Sequence, residues 1–300
     1  MRYLDLYNSG DLLERVRQAY GRLKSCDLCP HDCGVNRLGG EVGRCRAGFM
    51  PKIASANVHR GEEPPISGSL GSGTIFLSHC TLRCRFCQNF PISHLGNGRE
   101  LATTKLAEEM LRLQRLKVHN INFVTPGHFL PQLLAALWLA IPQGFHLPIV
   151  WNSSGYEKPD VLALLDGVVD IYLPDMKYAA EEPAVRFSAA PGYCAANRAA
   201  VTEMFRQVGH LEVDRDGIAV RGLIIRHLVL PEGGAGSAET LRWIAENLGL
   251  ETHIALMNQF FPAHEASETP GIHRKITVEE YGEAVAALEE AGLENGWVQE

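Results

Sequence analysis

The sequence predicts an α/β protein, an open (β/α)6 partial barrel preceded by a Cys-rich, metal-binding N-terminal extension. Three observations carry this reading. Six short apolar runs alternate with helical segments from Gly73 onward, no linker or internal repeat divides that region, and seven of the eight cysteines crowd into residues 26 to 87. Alternating strand and helix implies right-handed βαβ units and a parallel sheet, and six such units are two short of a closed eight-fold barrel. Residues 1–72 are therefore expected to form an N-terminal helix and Cys-rich extension, and residues 73–300 the barrel core.

The extension opens on residues 3–23, where Leu12, Leu13, Val16, Tyr20 and Leu23 recur at helical spacing among charged residues, which predicts one amphipathic helix. Residues 26–49 set four cysteines among Gly, Pro, Asn and Asp, a loop-forming composition that builds no core unaided. Residues 52–68 read as short strands or extended chain without strong periodicity.

In the core the expected strands are Thr74–Leu77, Ile121–Thr125, Pro148–Asn152, Asp170–Leu173, Leu223–Leu230 and His253–Met257. Between and after them come helices at Leu106–Val118, Pro131–Ala140, Pro159–Leu165, Glu181–Val208 with a break at Pro191, Ala238–Leu248 and Val278–Ala291. Asp216-Gly217 lies between alternating segments and signals a hairpin ahead of the fifth strand.

Composition narrows the function classes. A formal net charge of -7 argues against binding along a nucleic-acid backbone, which needs clustered Lys and Arg. The most apolar stretch, Leu133 to Ile141, is half the length that spans a bilayer, and the opening residues lack the apolar core of a signal peptide. A cytoplasmic protein is expected, and there crowded cysteines point to metal rather than disulfides. Cys194 stands apart and reads as an ordinary packed or surface thiol.

Directly after the first core strand comes Cys80-Thr-Leu-Arg-Cys84-Arg-Phe-Cys87-Gln-Asn. Close cysteine spacing lets one loop wrap one iron-sulfur cluster, and three thiolates leave the fourth iron an open position, as a catalytic metal requires. The loop sits at the carboxyl end of a strand, where α/β barrels gather their functional groups. A structural zinc site would want a fourth ligand, for which only His79 and Asn89 are near.

The Cys-x3-Cys-x2-Cys spacing, with an aromatic residue before the last cysteine, resembles the radical S-adenosylmethionine superfamily. Within it the chain is similar to the PflX-like homologues of the pyruvate formate-lyase activating enzyme. That likeness is carried by Cys26-Asp-Leu-Cys29-Pro-His-Asp-Cys33, Asn120 to Pro126, Asp175-Met-Lys177, Arg226 to Pro231 and Met257-Asn-Gln-Phe. The resemblance implies a [4Fe-4S] cluster on Cys80, Cys84 and Cys87, with S-adenosylmethionine chelating the unique iron. It also implies a reductant such as flavodoxin or ferredoxin, and reductive cleavage that yields a 5'-deoxyadenosyl radical for hydrogen abstraction.

Where activating enzymes carry Gly-Gly-Glu against the cofactor's amino group, this chain reads Val124-Thr125-Pro126-Gly127-His128, so the Thr125 hydroxyl or backbone carbonyls take that place. The third strand ends on Asn152 and Ser153 at the expected rim. The resemblance places Asp175 and Lys177 near the cofactor's carboxylate and ribose, and as an i, i+2 pair they share a face. Arg226 lies inside the apolar run LIIRHLVLP, where it is buried only if paired, and a cofactor carboxylate would pair it. His227 reads as a core histidine. Asn258 and Gln259 follow the last strand as candidate contacts.

Cys26, Cys29, Cys33 and Cys45 form a closed four-thiolate set, which suits either structural zinc or an auxiliary [4Fe-4S] cluster. Three functions remain open on these grounds. One is an activase-like enzyme acting on a protein partner, a second is radical chemistry on a small molecule or RNA, and a third is a non-catalytic iron-sulfur or zinc module.

Overall fold

The structure, a computed structural model, describes residues 1–299, and Glu300, the last residue of the expected core, lies outside them. The N-terminal helix comes as two pieces, α1 (Arg2–Ser9) and α2 (Asp11–Gly21), because Gly10 between them adopts a left-handed φ of 88° that ends the first helix. Both pack on the main body: Tyr3, Leu12, Val16 and Leu23 belong to the principal core, and the Tyr3 hydroxyl donates to the Leu147 carbonyl at 2.8 Å.

After the Cys-rich loop the chain runs through β1 (Lys52–His59), α3 (Pro64–Ser67), β2 (Ser72–Leu77), α4 (Phe90–Ser93), β3 (Arg99–Glu100), α5 (Thr103–Arg115), β4 (Ile121–Val124) and α6 (Leu130–Ala140). It continues through β5 (Ile149–Ser153), α7 (Pro159–Leu162), β6 (Ile171–Pro174), α8 (Glu181–Ser188), α9 (Tyr193–Val208), β7 (Glu212–Val213) and β8 (Ala219–Leu228). The last elements are α10 (Ser237–Leu248), β9 (His253–Met257), α11 (Val278–Glu290) and β10 (Gly296–Val298).

The strands form one open sheet in the order β10-β9-β8-β6-β5-β4-β2-β1-β3, with β7 paired to β8. From β2 to β10 every neighbour along this path is parallel, whereas β1 adds to β2 and β3 adds to β1 in antiparallel sense. All six expected core strands are present. Strands outside these units widen the sheet: β10 extends the parallel run, and β1 and β3 extend the other edge. The hairpin at Asp216-Gly217 joins β7 to β8.

Strand alternation sorts the side chains into two layers. Ile75, Phe123, Trp151, Tyr172, Ile225 and Leu256 face the helices in the principal core. Val150, Ile171, Leu173 and Ile224 face inward and pack around Ile66 of α3. That short helix therefore plugs the barrel, and Asn120 fixes it by donating from Nδ2 to the Ile66 carbonyl at 2.8 Å. The apolar run at Leu133 to Ile141 belongs to α6 and its end, buried between the sheet, α5 and α2 rather than in lipid. The long expected helix over 181–208 breaks where Ala189 and Gly192 take positive φ on either side of Pro191.

Candidate functional site

At the end of β2 the backbone turns through His79, φ 71°, into the Cys80–Cys87 loop. The Arg83 and Arg85 amides bond the Ser188 and Phe187 carbonyls at 2.9 and 2.8 Å, so the loop is fastened to α8. Leu82 and Phe86 anchor it in a second apolar cluster with Tyr156, Tyr178, Phe187 and Phe260.

The three thiols line one cavity of about 550 Å³ at the carboxyl ends of the strands. Each has a polar neighbour: the Leu82 amide donates to Cys80 Sγ at 3.3 Å, Ser188 Oγ to Cys84 Sγ at 3.0 Å, and Cys87 Sγ lies 3.1 Å from Ser93 Oγ. Burial pushes the Cys80 thiol up to about 12 and Cys84 up to about 11, while the Lys177 ammonium pulls both back.

Thr125, Asn152, Ser153, Asp175, Lys177, Arg226 and Gln259 line the same cavity. Thr125 holds a φ of 58°, a strained setting for a β-branched residue, with its amide bonded to the Asn152 carbonyl at 2.8 Å. Lys177 Nζ meets Asp175 Oδ2 at 2.6 Å. Burial works against the lysine charge, and Asp175 and Cys84 hold its pKa above the usual value.

No protein-family model matches the chain. The uncharacterized protein MJ0674 of Methanocaldococcus jannaschii is 31% identical over 296 residues, an alignment that covers 96% of this chain and 81% of that protein. The chain belongs to the MJ0674 family. Among solved structures the fold is similar to HydG, a maturase of the [FeFe]-hydrogenase, with a TM-score of 0.52 at 11% identity. That likeness covers 75% of this chain and 50% of HydG, so the chain matches about half the length of that maturase. At such identity the likeness is one of fold.

Two site expectations need correction in this member of the MJ0674 family. Arg226 does not wait on a cofactor carboxylate for its counter-charge. Its Nε lies 3.3 Å from Glu63 and 3.9 Å from Asp175, and Nη1 lies 3.8 Å from Glu62. Burial opposes its charge and these three carboxylates outweigh that, raising its pKa. Asn258 is not among the residues lining the cavity. Met257 faces inward beside Arg226, so alternation turns Asn258 away, and its amide bonds Gln299 Oε1 at 3.0 Å. His227 is a satisfied core residue, held between the Met176 carbonyl at 2.6 Å and Ser237 Oγ at 2.9 Å, with burial lowering its pKa to about 4.

Cys26, Cys29, Cys33 and Cys45 lie in one loop close to the first set, and all eight cysteines are free thiols. Burial pushes Cys29 up to about 12, with Cys45, Cys26 and Cys33 each adding to it as neighbouring charges. A Cβ at Gly43 would meet Cys33 Sγ, so that turn packs directly against the thiol. The wholly buried Arg37 donates to the Gly48 carbonyl at 3.2 and 2.7 Å and to the His128 carbonyl at 2.7 Å, and lies over the Phe129 ring. His31 Nε2 lies 2.8 Å from the Thr81 carbonyl, and Cys29, Thr81 and Thr125 share a small recess, so the two cysteine loops abut. Among the described residues no three His, Cys, Asp or Glu side chains form a group placed to hold a single metal ion.

Sequence reasoning missed Glu157, Glu62 and Glu63. Glu157 is buried beneath the Thr125–Gly127 turn, where it accepts from Trp151 Nε1 at 2.9 Å and Ser153 Oγ at 2.7 Å. Burial raises its pKa. A Cβ on Gly127 would come within 2.7 Å of its carboxylate, which ties the Pro126-Gly127 turn to this buried acid.

Proposed function

We propose that the chain is a radical S-adenosylmethionine enzyme. The observation that carries this is the convergence of Cys80, Cys84 and Cys87 with Thr125, Asn152, Asp175 and Lys177 on one cavity at the strand ends. The donor set fits a cluster: three free thiols from one loop, each beside a polar group of the kind that tunes cluster sulfurs. When bound, a [4Fe-4S] cluster and S-adenosylmethionine together supply reductive cleavage of the sulfonium and a 5'-deoxyadenosyl radical that abstracts hydrogen.

The chain's own residues hold and orient. Cys80, Cys84 and Cys87 would ligate three irons and leave the fourth without a protein ligand. Lys177 offers an ammonium to a carboxylate or hydroxyl, and Asp175 accepts from a ribose or amine. Thr125 presents its hydroxyl and carbonyl where an ammonium needs acceptors. A reductant such as flavodoxin or ferredoxin would supply the electron, and hydrogen abstraction from a protein partner remains the activase-like form of this reading. Cys26, Cys29, Cys33 and Cys45 would hold a second metal centre, zinc or an auxiliary [4Fe-4S] cluster, in a loop that lacks a core of its own.

Anaerobic reconstitution followed by reduction with dithionite tests the reading. The wild-type protein is expected to form 5'-deoxyadenosine, detected by chromatography, and the Cys80→Ala, Cys84→Ala, Cys87→Ala triple variant to form none while staying folded. A wild-type protein that takes up a full cluster yet yields no cleavage product would overturn it.

A further inference from the structure

The cavity has a floor as well as a mouth. Glu62 and Glu63 directly precede the α3 plug, in a stretch that the cluster and cofactor residues do not use; Glu62 lines the cavity and Glu63 lies behind it, 3.3 Å from Arg226. Their side chains are only 7% and 8% exposed. Three carboxylates, Glu62, Glu63 and Asp175, gather here against two cations, Arg226 and Lys177. Lys177 takes Asp175 at 2.6 Å, which leaves Arg226 as the buried cation facing both glutamates.

That answer is incomplete. Arg226 stands 3.3 to 3.8 Å from them, and its hydrogen bond goes instead to Met257 Sδ at 3.6 Å. Glu62 turns toward the cavity, within ion-pair reach of Arg226 but with no side-chain hydrogen bond among the described residues, while Glu63 Oε2 and Arg226 Nε behind it are buried without a partner. His59 Nδ1, 3.4 Å from Glu62 Oε1, is the other group within ion-pair reach and is half exposed. A buried carboxylate that is neither hydrogen-bonded nor fully paired is costly, and a ligand that brings a positive charge with N–H donors removes the cost. Phe76 lines the same chamber and offers such a ligand an apolar wall.

We propose that Glu62, supported by Glu63, is the recognition site for an ammonium or guanidinium group carried on a short apolar stem, and that this group belongs to the substrate. The assignment of the ligand as substrate rests on the radical S-adenosylmethionine reading, whereas the binding itself does not. A neutral or anionic group would leave the surplus carboxylate unanswered, and an anion would be repelled by it.

Calorimetric titration of the cluster-loaded protein with n-butylamine, n-butanol and butyrate tests this, with deoxyadenosine formation measured on the same preparation. Butylamine is expected to bind at least about tenfold more tightly than butanol or butyrate, and Glu62→Gln, which keeps the shape and removes the charge, to erase about tenfold of that preference. The comparison of probes on the wild type stands even where the variant fails to fold. Equal binding of all three probes, no binding of butylamine, or an unchanged preference in a folded Glu62→Gln protein would overturn the proposal and leave Glu62 as a partner of His59 and Arg226 only. Selective amine binding in a protein that cleaves no cofactor would sink the enzymatic reading and keep the site.

Discussion

Replacing Arg37 by Met is expected to destabilise the protein by about 3 kcal/mol, even though the residue lies in a loop. The guanidinium makes three hydrogen bonds to two carbonyls, the half-buried one of Gly48 and the buried one of His128, and a longer one to the buried Cys26 Sγ, and no carboxylate accompanies it. Met fills a similar volume but leaves all three acceptors without this donor, the His128 carbonyl alone costing roughly 1–3 kcal/mol and the Gly48 carbonyl, nearer to water, less. The lost contact with the Phe129 ring adds to this. For a chain of this size the change corresponds to a fall of roughly 5 °C in the thermal midpoint. Urea unfolding followed by circular dichroism measures it, and limited proteolysis should show the 26–49 segment opening first. A loss below about 1 kcal/mol would refute the reasoning, since water would then be replacing the guanidinium at both carbonyls.

Other expectations follow from the same geometry. Burial raises the Asp170 carboxyl to about 6 against an ordinary value near 4, so its charged form is disfavoured on folding; the cost is absent below about pH 4 and complete above about pH 6. Asp170→Asn should therefore raise the thermal midpoint at pH 8 and change it little at pH 4, and equal shifts at both would contradict the assignment. Gly127→Ala drives a methyl against Glu157 and should weaken S-adenosylmethionine binding in equilibrium dialysis, with unaltered affinity showing that the turn gives way freely. Asp175→Asn should weaken cofactor binding while iron content stays at the wild-type level, and loss of iron would mean that Asp175 supports the cluster loop instead. Replacing Cys26, Cys29, Cys33 and Cys45 by Ala should remove about four irons or about one zinc per chain and expose the loop to protease, because metal binding there is folding free energy. Unchanged metal content and protease resistance would dismiss that centre.

The fold was largely legible because strands covered on both faces read as compact apolar runs, as in Ile121–Val124 and Ile149–Ser153. β1 was legible only as short strands or extended chain without fixed bounds, since its residues KIASANVH lie half exposed beside an antiparallel edge and carry no clear period. β10 is three residues long and takes its strand form from pairing with β9. The cysteine sets could be read because their spacing is local. Glu62 and Glu63 could not, since their meaning depends on Arg226, far along the chain, although two acids directly before Pro64-Pro65 were a signal of a fixed turn. Arg226 was singled out as a charge needing a partner, and three carboxylates within the protein stand near it, which its position alone in the apolar run could not tell.

The α3 plug also sets a rule of traffic. Ile66 and the inward-facing Val150, Ile171, Leu173 and Ile224 fill the barrel around α3, so the chamber that holds the thiols and Glu62 is a blind alley and not a tunnel. Two ligands in it draw on one shared volume, and enlarging either should crowd the other out.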